Sequence, residues 1–152
     1  MKVACGFDHA GFPFRDKVFE VVAEMGHEVL DLGTKAATPP VDYPDVAEAV
    51  GAAVVAGKAD RGVIVCGSGA GVAIAACKIH GIRSSVVHDS YTAHQAVEHD
   101  DMNVICMGAR VIGPELAADV LRSFLRAQFT HEERHERRLT KVIEIERGHT
   151  IG

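Results

Sequence analysis

Short apolar runs alternate along the chain with longer amphipathic stretches. The runs are four or five residues long and consist mainly of Val, Ile, Cys and Met, at 3–7, 28–32, 62–66, 84–87 and 103–107. Runs of this length predict β-strands, and strands separated by helical stretches predict a parallel sheet. The pattern therefore predicts an α/β fold built from five strand–helix units.

The stretches between the runs carry helix signals. Residues 13–25 place five apolar side chains on one helical face: Phe14, Val18, Val21, Val22 and Met25. Gly26 is positioned to end this helix. Pro44 opens a helix that Gly57 closes, and Pro114 opens one that runs to Phe129.

The last segment, residues 131–147, is highly charged but keeps an apolar stripe at helical spacing. The stripe consists of Leu139, Val142, Ile143 and Ile145. We expect this segment to pack on the domain as a C-terminal helix through that stripe.

Composition fits one compact domain over residues 1–152. The chain has 152 residues, of which 47% are hydrophobic, and it has no Trp. A domain of this size buries about two thirds of the surface of its unfolded chain. No internal repeat or linker suggests a second domain.

Charge and hydropathy exclude several classes of partner. The formal charge is −5 without a run of Lys, which argues against nucleic acid and favours a small polar substrate. No apolar stretch approaches the roughly 20 residues that span a bilayer, and the N-terminus enters a predicted strand without a signal-peptide pattern. We therefore expect a cytoplasmic protein without a membrane partner.

The four cysteines lack the spacing of a metal or redox motif. Cys5, Cys66, Cys77 and Cys106 form no CxxC pair, so free thiols are expected. Three of them are interpreted as core residues, whereas Cys66 lies where a site would form.

Polar residues follow several predicted strands. Asp8 and His9 follow the first strand, residues 66–71 follow the third, and Asp89 follows the fourth. In parallel α/β sheets, ligands bind at the carboxyl ends of the strands. This edge is therefore the candidate site.

The glycine-rich loop after the third strand is the most informative motif. Residues 66–71 read CGSGAG and precede a helix that contains Ile74, so their backbone N–H groups form a nest suited to an anion. These donors could stabilise the enediolate of a sugar, and the Cys66 thiol, favoured as thiolate near a helix N-terminus, could be the base. The alternative interpretation is that Cys66 is a buried structural cysteine before a tight turn.

A dinucleotide-binding fingerprint is a second interpretation of this loop. Gly67, Gly69 and the later Asp89 fit its spacing. However, Val72 occupies the position that requires Gly or Ala, and the loop follows the third strand instead of the first.

The letters HExxH at 131–135 suggest a zinc site. His131 and His135 would lie on one helix face, but Arg134 and its neighbouring arginines disfavour a dication. A third ligand would have to come from Glu144, Glu146 or His149, so no metal is expected.

Phosphate recognition is the better interpretation of the same segment. Arg134 and Arg138 lie four residues apart on one face, with His135 beside them. A solvated helix with internal ion pairs is the alternative. His99, predicted just past a helix, can change protonation near neutral pH and is expected near the ligand edge.

Several motifs together resemble the ribose-5-phosphate isomerase B family, over nearly the whole chain from Val3 to Glu146. They are the DHAG run at 8–11, DYP at 42–44, CGSGAG at 66–71, GIR at 81–83, His99 with Asn103, and GAR at 108–110. The resemblance implies a three-layer α/β/α Rossmann-like sandwich with a five-stranded parallel sheet. It also implies a homodimer or homotetramer with active sites shared between subunits.

The implied reaction interconverts D-ribose 5-phosphate and D-ribulose 5-phosphate through a cis-enediol, without metal or nucleotide. By this resemblance Cys66 is the carbon base, the loop with Ser68 holds the oxyanion, and His99 with Asp8 opens the sugar ring. The implied substrate-binding residues are Asp8, His9, Tyr43, Gly67, Ser68, Gly69, Ala70, Gly71, Asp100, Arg110, Arg134 and Arg138.

Two positions depart from the family pattern. Asp100 and Cys77 each stand where the family usually has Asn. A carboxylate accepts hydrogen bonds without donating any and repels an anionic substrate, so another sugar phosphate, such as allose 6-phosphate, galactose 6-phosphate or a tetrose phosphate, stays open. A non-catalytic phosphate-binding module is the alternative from another functional class.

Overall fold

The computed structural model describes residues 1–148, in which five strands alternate with six α-helices. The strands are β1 (Lys2–Phe7), β2 (Glu28–Asp31), β3 (Arg61–Cys66), β4 (Ser84–Val86) and β5 (Val104–Gly108). The helices are α1 (Arg15–Glu24), α2 (Tyr43–Val55), α3 (Ala70–Ala76), α4 (Ser90–Asp100), α5 (Pro114–Arg126) and α6 (Glu133–Glu146). In the described part of the chain, no helix is both long and apolar enough to cross a bilayer.

The strands form one parallel sheet in the order β2-β1-β3-β5-β4. Helices α2 and α3 cover one face, and α1, α4 and α5 cover the other. This confirms the predicted three-layer α/β/α sandwich. All five carboxyl ends lie at one edge of the sheet, as parallel pairing requires.

The core consists of two apolar layers, one on each face of the sheet. Alternate residues of β3 enter different layers: Val63 and Val65 pack towards α1 and α5, whereas Ile64 and Cys66 pack towards α2 and α3. Each such buried side chain contributes about 1.5–3 kcal/mol of burial free energy. The strand therefore directs Cys66 towards the α2 and α3 side.

The predicted helices form with small shifts at their ends. A 3-10 turn, Phe12–Phe14, precedes α1, so the regular helix begins at Arg15. Gly26, at φ 77°, follows the end of α1 as predicted. Helix α5 ends at Arg126, before the predicted Phe129, because Ala127 is already extended.

The end of α4 corrects one prediction. His99 lies inside the last turn of α4, not past it, and the left-handed Asp101 (φ 50°) ends the helix. Local hydrogen bonding of Asp tolerates this conformation, and here the Arg83 guanidinium also holds Asp101 through its backbone and carboxylate oxygens at 2.7 and 2.8 Å.

The packing expected of α6 is correct only in part. Leu139 and Ile143 are half-buried, but Val142 is 49% exposed and Ile145 is 59% exposed. Helix α6 lies against α4 and not across a sheet face. Half of its apolar stripe therefore remains uncovered within this chain.

Burial also separates the cysteines. Cys5 and Cys106 are core residues as expected, and desolvation raises the pKa of each thiol to about 12. Cys77 is exposed, so its assignment to the core was wrong. It follows the last residue of α3, where its thiol donates to the Ser84 carbonyl at 3.2 Å.

Candidate active site

Three adjacent strands bring polar residues together at the carboxyl edge. Asp8 follows β1, Cys66 ends β3, and Arg110 lies just beyond β5. The pairing of Phe7 with Val65 and of Cys66 with Gly108 sets their relative heights. This is the edge where the sequence predicted a ligand site.

Cys66 is 5% exposed and its sulfur accepts a hydrogen bond. The Gly69 N–H donates to Cys66 Sγ at 3.1 Å, a contact that stabilises a thiolate. Gly69 has φ 82°, and a Cβ there would lie 3.0 Å from the Met107 carbonyl carbon. Glycine is therefore needed to turn this N–H onto the sulfur.

The rest of the loop faces solvent beside Tyr43. Ser68 is exposed, and its Oγ accepts the Ala70 N–H at 3.2 Å. A Cβ at Gly71 would lie 2.9 Å from the Tyr43 ring, so the phenol packs directly on the loop. Tyr43 thereby lies directly beside the loop that follows Cys66.

Asp8 and His9 lie directly after the neighbouring strand β1. Asp8 is 5% exposed, and its Oδ1 accepts the N–H groups of Ala10 and Gly11 at 2.9 and 2.8 Å. His9 Nδ1 accepts the Val41 N–H at 3.3 Å. A neutral His9 therefore carries its proton on Nε2 and can donate it to a ligand oxygen.

Arg110 brings positive charge to the loop. Its backbone N–H donates to the Gly67 carbonyl at 3.0 Å, and a Cβ at Gly67 would lie 3.4 Å from its guanidinium. An exposed guanidinium beside a glycine loop suits a phosphate. The structure thus brings together Asp8, His9, Tyr43, the loop 66–71 and Arg110.

His99 does not join this cluster. The C-terminus of α4 returns to the amino edge of the sheet, where the Asn103 carbonyl accepts the Gly62 N–H at 2.9 Å. Cys66 lies four residues further along β3, or about 13 Å away. The expectation that His99 lies at the ligand edge is therefore wrong within one chain, because the helix after β4 runs back along the sheet.

His99 belongs to a second cluster with the start of α6. Its ring stacks on the His135 ring, with centroids 4.0 Å apart and planes 27° apart. Arg134 and Arg138 are exposed beside His135, and Asp100 is exposed next to His99. Of the arginines, Arg134 is paired with Glu132 at 3.0 Å.

His135 is the residue whose setting the sequence reasoning missed. It is 1% exposed, its Nδ1 is 2.5 Å from Thr130 Oγ1, and its Nε2 has no hydrogen-bond partner. Burial lowers the pKa of His135, and His99 and Arg134 lower it further. A signal was present, because His135 continues the helical spacing of Leu139 and Val142.

The zinc interpretation does not fit this geometry. His131 precedes α6 and contacts Glu136 at 2.7 Å, whereas His135 is buried against Thr130, so the two rings share no helix face. Within residues 1–148, no three His, Cys, Asp or Glu side chains are grouped to hold a metal ion. His149 lies outside the described residues.

Comparison with known proteins identifies the family of this chain. The family model for Ribose/Galactose Isomerase matches residues 3–142. Ribose-5-phosphate isomerase B of Escherichia coli is 39% identical over 95% of this chain and 96% of its own. The solved ribose-5-phosphate isomerase B of Clostridium thermocellum is 40% identical, with a TM-score of 0.93 over 99% of this chain and 100% of that one.

Relatives with other names also match. A D-erythrulose-4-phosphate isomerase from Pectobacterium atrosepticum is 36% identical over 85% of each chain. These matches span the whole predicted fold and both clusters of polar residues. This chain therefore belongs to the ribose/galactose isomerase family and is an isomerase of sugar phosphates.

Proposed function

We propose that this enzyme interconverts D-ribose 5-phosphate and D-ribulose 5-phosphate through a cis-enediol. The observation that carries the proposal is the Cys66 sulfur, which accepts the Gly69 N–H at 3.1 Å in a glycine loop packed against Tyr43 and next to the strand that precedes Asp8. The names of the Escherichia coli and Clostridium thermocellum relatives support ribose 5-phosphate as substrate.

Cys66 is the proposed carbon base. Its thiolate removes the C2 proton of the open-chain aldose, and the electron pair moves to the carbonyl oxygen to form the enediolate. The proton of the C2 hydroxyl passes to the C1 oxygen, and the Cys66 thiol then returns its own proton to C1, which leaves the carbonyl at C2 and completes the ketose. The Ser68 hydroxyl and the backbone of residues 67–71 stabilise the charge that develops on oxygen.

Ring opening needs a separate acid and base. In the proposal, protonated His99 donates to the ring oxygen while Asp8 accepts the proton of the anomeric hydroxyl, so the ring opens to the aldehyde. The Asp8 Oδ2 atom makes no hydrogen bond within residues 1–148, whereas Oδ1 is used by the backbone. Oδ2 is therefore the atom proposed to contact the sugar.

The two clusters are proposed to meet in a homodimer. Cys66 lies at the carboxyl edge and His99 at the amino edge, so one sugar phosphate cannot contact both in one chain. A two-fold dimer places the His99 cluster of one subunit over the Cys66 cluster of the other, twice. His9 and Arg110 from one subunit, with Arg134 and Arg138 from the other, then surround the phosphate.

The uncovered face of α6 supports the same arrangement. Val142 and Ile145 are exposed, and they line a cavity of about 600 Å³ with Ile82, Met102 and Asp100. This cavity is remote from Cys66 and lies beside the His99 cluster. We infer that a second copy of this chain covers it, because the same copy completes the active site.

A different sugar phosphate is the second candidate substrate. Asp100 accepts hydrogen bonds but donates none, and a relative at 36% identity is named for erythrulose 4-phosphate. This alternative keeps the roles of Cys66 and Asp8. Only the protein contacts to the sugar hydroxyl groups that are distant from C1 and C2 would differ.

A coupled assay with EDTA distinguishes these possibilities. Ribose 5-phosphate is tested beside allose 6-phosphate, galactose 6-phosphate and erythrose 4-phosphate. We expect the highest kcat/KM for ribose 5-phosphate. A higher value for another sugar would move the substrate assignment, and no turnover of any of the four would overturn the proposal.

A further inference from the structure

His135 is a buried side chain on a helix that is otherwise largely exposed. It is 1% exposed, while its neighbours Arg134 and Glu136 are exposed. Within residues 1–148 it is, with Asp8, one of two buried polar or charged residues. Buried polar groups are normally fully hydrogen-bonded, so an exception calls for an explanation.

The hydrogen bonding of His135 is one-sided. Its Nδ1 lies 2.5 Å from Thr130 Oγ1, and that oxygen also accepts the Glu132 N–H at 3.3 Å. Its Nε2 is buried without a partner. A Leu or Phe would fill this space without leaving a polar atom unpaired, so packing alone does not require His here.

Within residues 1–148, the aromatic neighbour of the His135 ring is the His99 ring. The two rings stack at 4.0 Å and 27°. Within residues 1–148, the His99 ring makes no hydrogen bond, so this stack is the contact that fixes its plane. His99 is in the last turn of α4, and the left-handed Asp101 ends the helix two residues later.

The surroundings of His135 favour its neutral form, which suits a stacked partner that acts as an acid. Burial lowers the pKa of His135, as do the facing charges of His99, Arg134 and Arg138, while Glu132 opposes them. A neutral aromatic ring attracts a cation placed over its face, whereas a second imidazolium would repel it. A neutral His135 ring is therefore a favourable stacking partner for a proton donor.

We propose that His135 is a positioning residue that holds the His99 imidazole in the plane needed for proton donation to the sugar ring oxygen. This inference rests on the proposed role of His99 as the ring-opening acid. His135 does not contact the substrate, because its free Nε2 is buried. It acts through the stack.

The test separates ring opening from proton transfer at carbon. Turnover of ribose 5-phosphate requires both steps, whereas exchange of the C1 hydrogen of open-chain ribulose 5-phosphate with D2O requires only the Cys66 step. His135→Leu removes the aromatic plane, and His135→Phe retains it. Both are compared with His99→Asn and the wild type.

We expect His135→Leu to lower kcat for ribose 5-phosphate by about 10- to 100-fold, the cost of a misplaced catalytic group. KM and the D2O exchange rate should stay within about twofold of the wild type, and His135→Phe should retain most of kcat. Thr130→Val removes the hydroxyl that contacts His135 Nδ1 but keeps both imidazole rings. It should lower ribose 5-phosphate turnover several-fold without lowering the D2O exchange rate.

Several outcomes would overturn the inference. The first is full ribose 5-phosphate turnover in both His135→Leu and Thr130→Val. The second is an equal loss of kcat in His135→Phe and His135→Leu. The third is a loss of D2O exchange rate in His135→Leu that equals its loss of ribose 5-phosphate turnover. If His135→Leu does not fold, Thr130→Val and His135→Phe decide the matter. Full ribose turnover in His99→Asn would instead remove the proposed role of His99, which distinguishes the two failures.

Discussion

Gly11 illustrates how one position supports the site. It is buried, donates its N–H to Asp8 Oδ1 at 2.8 Å, and lies against β3. A Cβ at this position would lie 1.8 Å from the Val65 carbonyl oxygen. Because that neighbour is backbone in the central strand, a side chain cannot be accommodated by a rotamer change.

We predict that Gly11→Ala lowers the free energy of unfolding by about 3 kcal/mol, the upper part of the usual range for overpacking. Gly113→Ala is the matched control, because a Cβ there meets nothing within 4 Å, and it should change stability by about 0.5 kcal/mol or less. Urea denaturation measures both. Equal stability of the two variants would contradict the geometry.

Cys66 is the residue on which the proposed chemistry depends most. Cys66→Ala keeps a small apolar side chain in the core but removes the base, so we predict a loss of about 10²- to 10⁴-fold in kcat. The loss should affect ribose 5-phosphate turnover and D2O exchange into ribulose 5-phosphate equally. Cys77→Ser, at an exposed cysteine, is the control and should retain activity.

An unchanged kcat in Cys66→Ala would reject Cys66 as the base, whatever the substrate. The sequence located this residue because a strand followed by a glycine-rich loop has a characteristic pattern. It could not show the Gly69 N–H on the sulfur, since that contact depends on the left-handed turn of Gly69 against Met107.

At the scale of elements, strands and inner helices were predictable and helix ends were not. Strand β3 and the buried face of α1 could be predicted from hydrophobic periodicity, because that pattern lies within a single element. The last turn of α4 depends on Asp101 and Arg83, which are 18 residues apart in sequence. Local patterns contain no such information.

Helix α6 shows a second limit of local pattern. Its apolar stripe predicted packing, but Val142 and Ile145 remain exposed in the single chain. A stripe indicates that some surface will cover it, without indicating which chain supplies that surface. The same stripe includes His135, whose burial lowers its pKa.

We predict that stability falls as the pH drops below about 6.5, and that His135→Phe removes part of this fall. Burial lowers the pKa of His135 from 6.5 in the folded state. The unfolded chain therefore binds its proton first, and the stabilisation is present above the unfolded pKa and is lost as pH falls towards the folded one.

Urea denaturation of the wild type and His135→Phe at pH 8 and pH 5.5 tests this prediction. His27 also has a pKa lowered by burial, but it is present in both proteins and cancels in the difference. The same pH response in both proteins would show that His135 does not contribute.

At the scale of the whole molecule, the separation of Cys66 and His99 leads to a complementation prediction. Cys66→Ala and His99→Asn should each be inactive with ribose 5-phosphate as separate proteins. After mixing and subunit exchange, half of the dimers are mixed, and each has one intact site of two. We therefore expect about one quarter of wild-type activity from the symmetry of a two-fold dimer.

Native mass spectrometry of the mixture reports subunit exchange. The control is a mixture of Cys66→Ala with wild-type protein at matched concentration, which should keep the activity of its wild-type chains, because each Cys66 meets an intact His99 in either partner. Exchange without any recovery in the first mixture would place both residues in one site of one chain. The fold class and the carboxyl-edge residues were predictable from the sequence. Sites shared between subunits were implied by the family resemblance, but the edge at which His99 lies could not be predicted from local pattern, because it depends on the direction of α4 relative to the sheet.

The proposed sharing of Cys66 and His99 between two subunits also predicts that activity depends on concentration. A single chain has only half of each proposed site, so it is expected to be inactive until it forms a dimer. When the enzyme is diluted below the dissociation constant of its dimer, the rate should rise with the square of chain concentration, because mass action sets the dimer population. Assembly would then act as a switch on catalysis, and newly made chains would begin turnover only when a second copy is present.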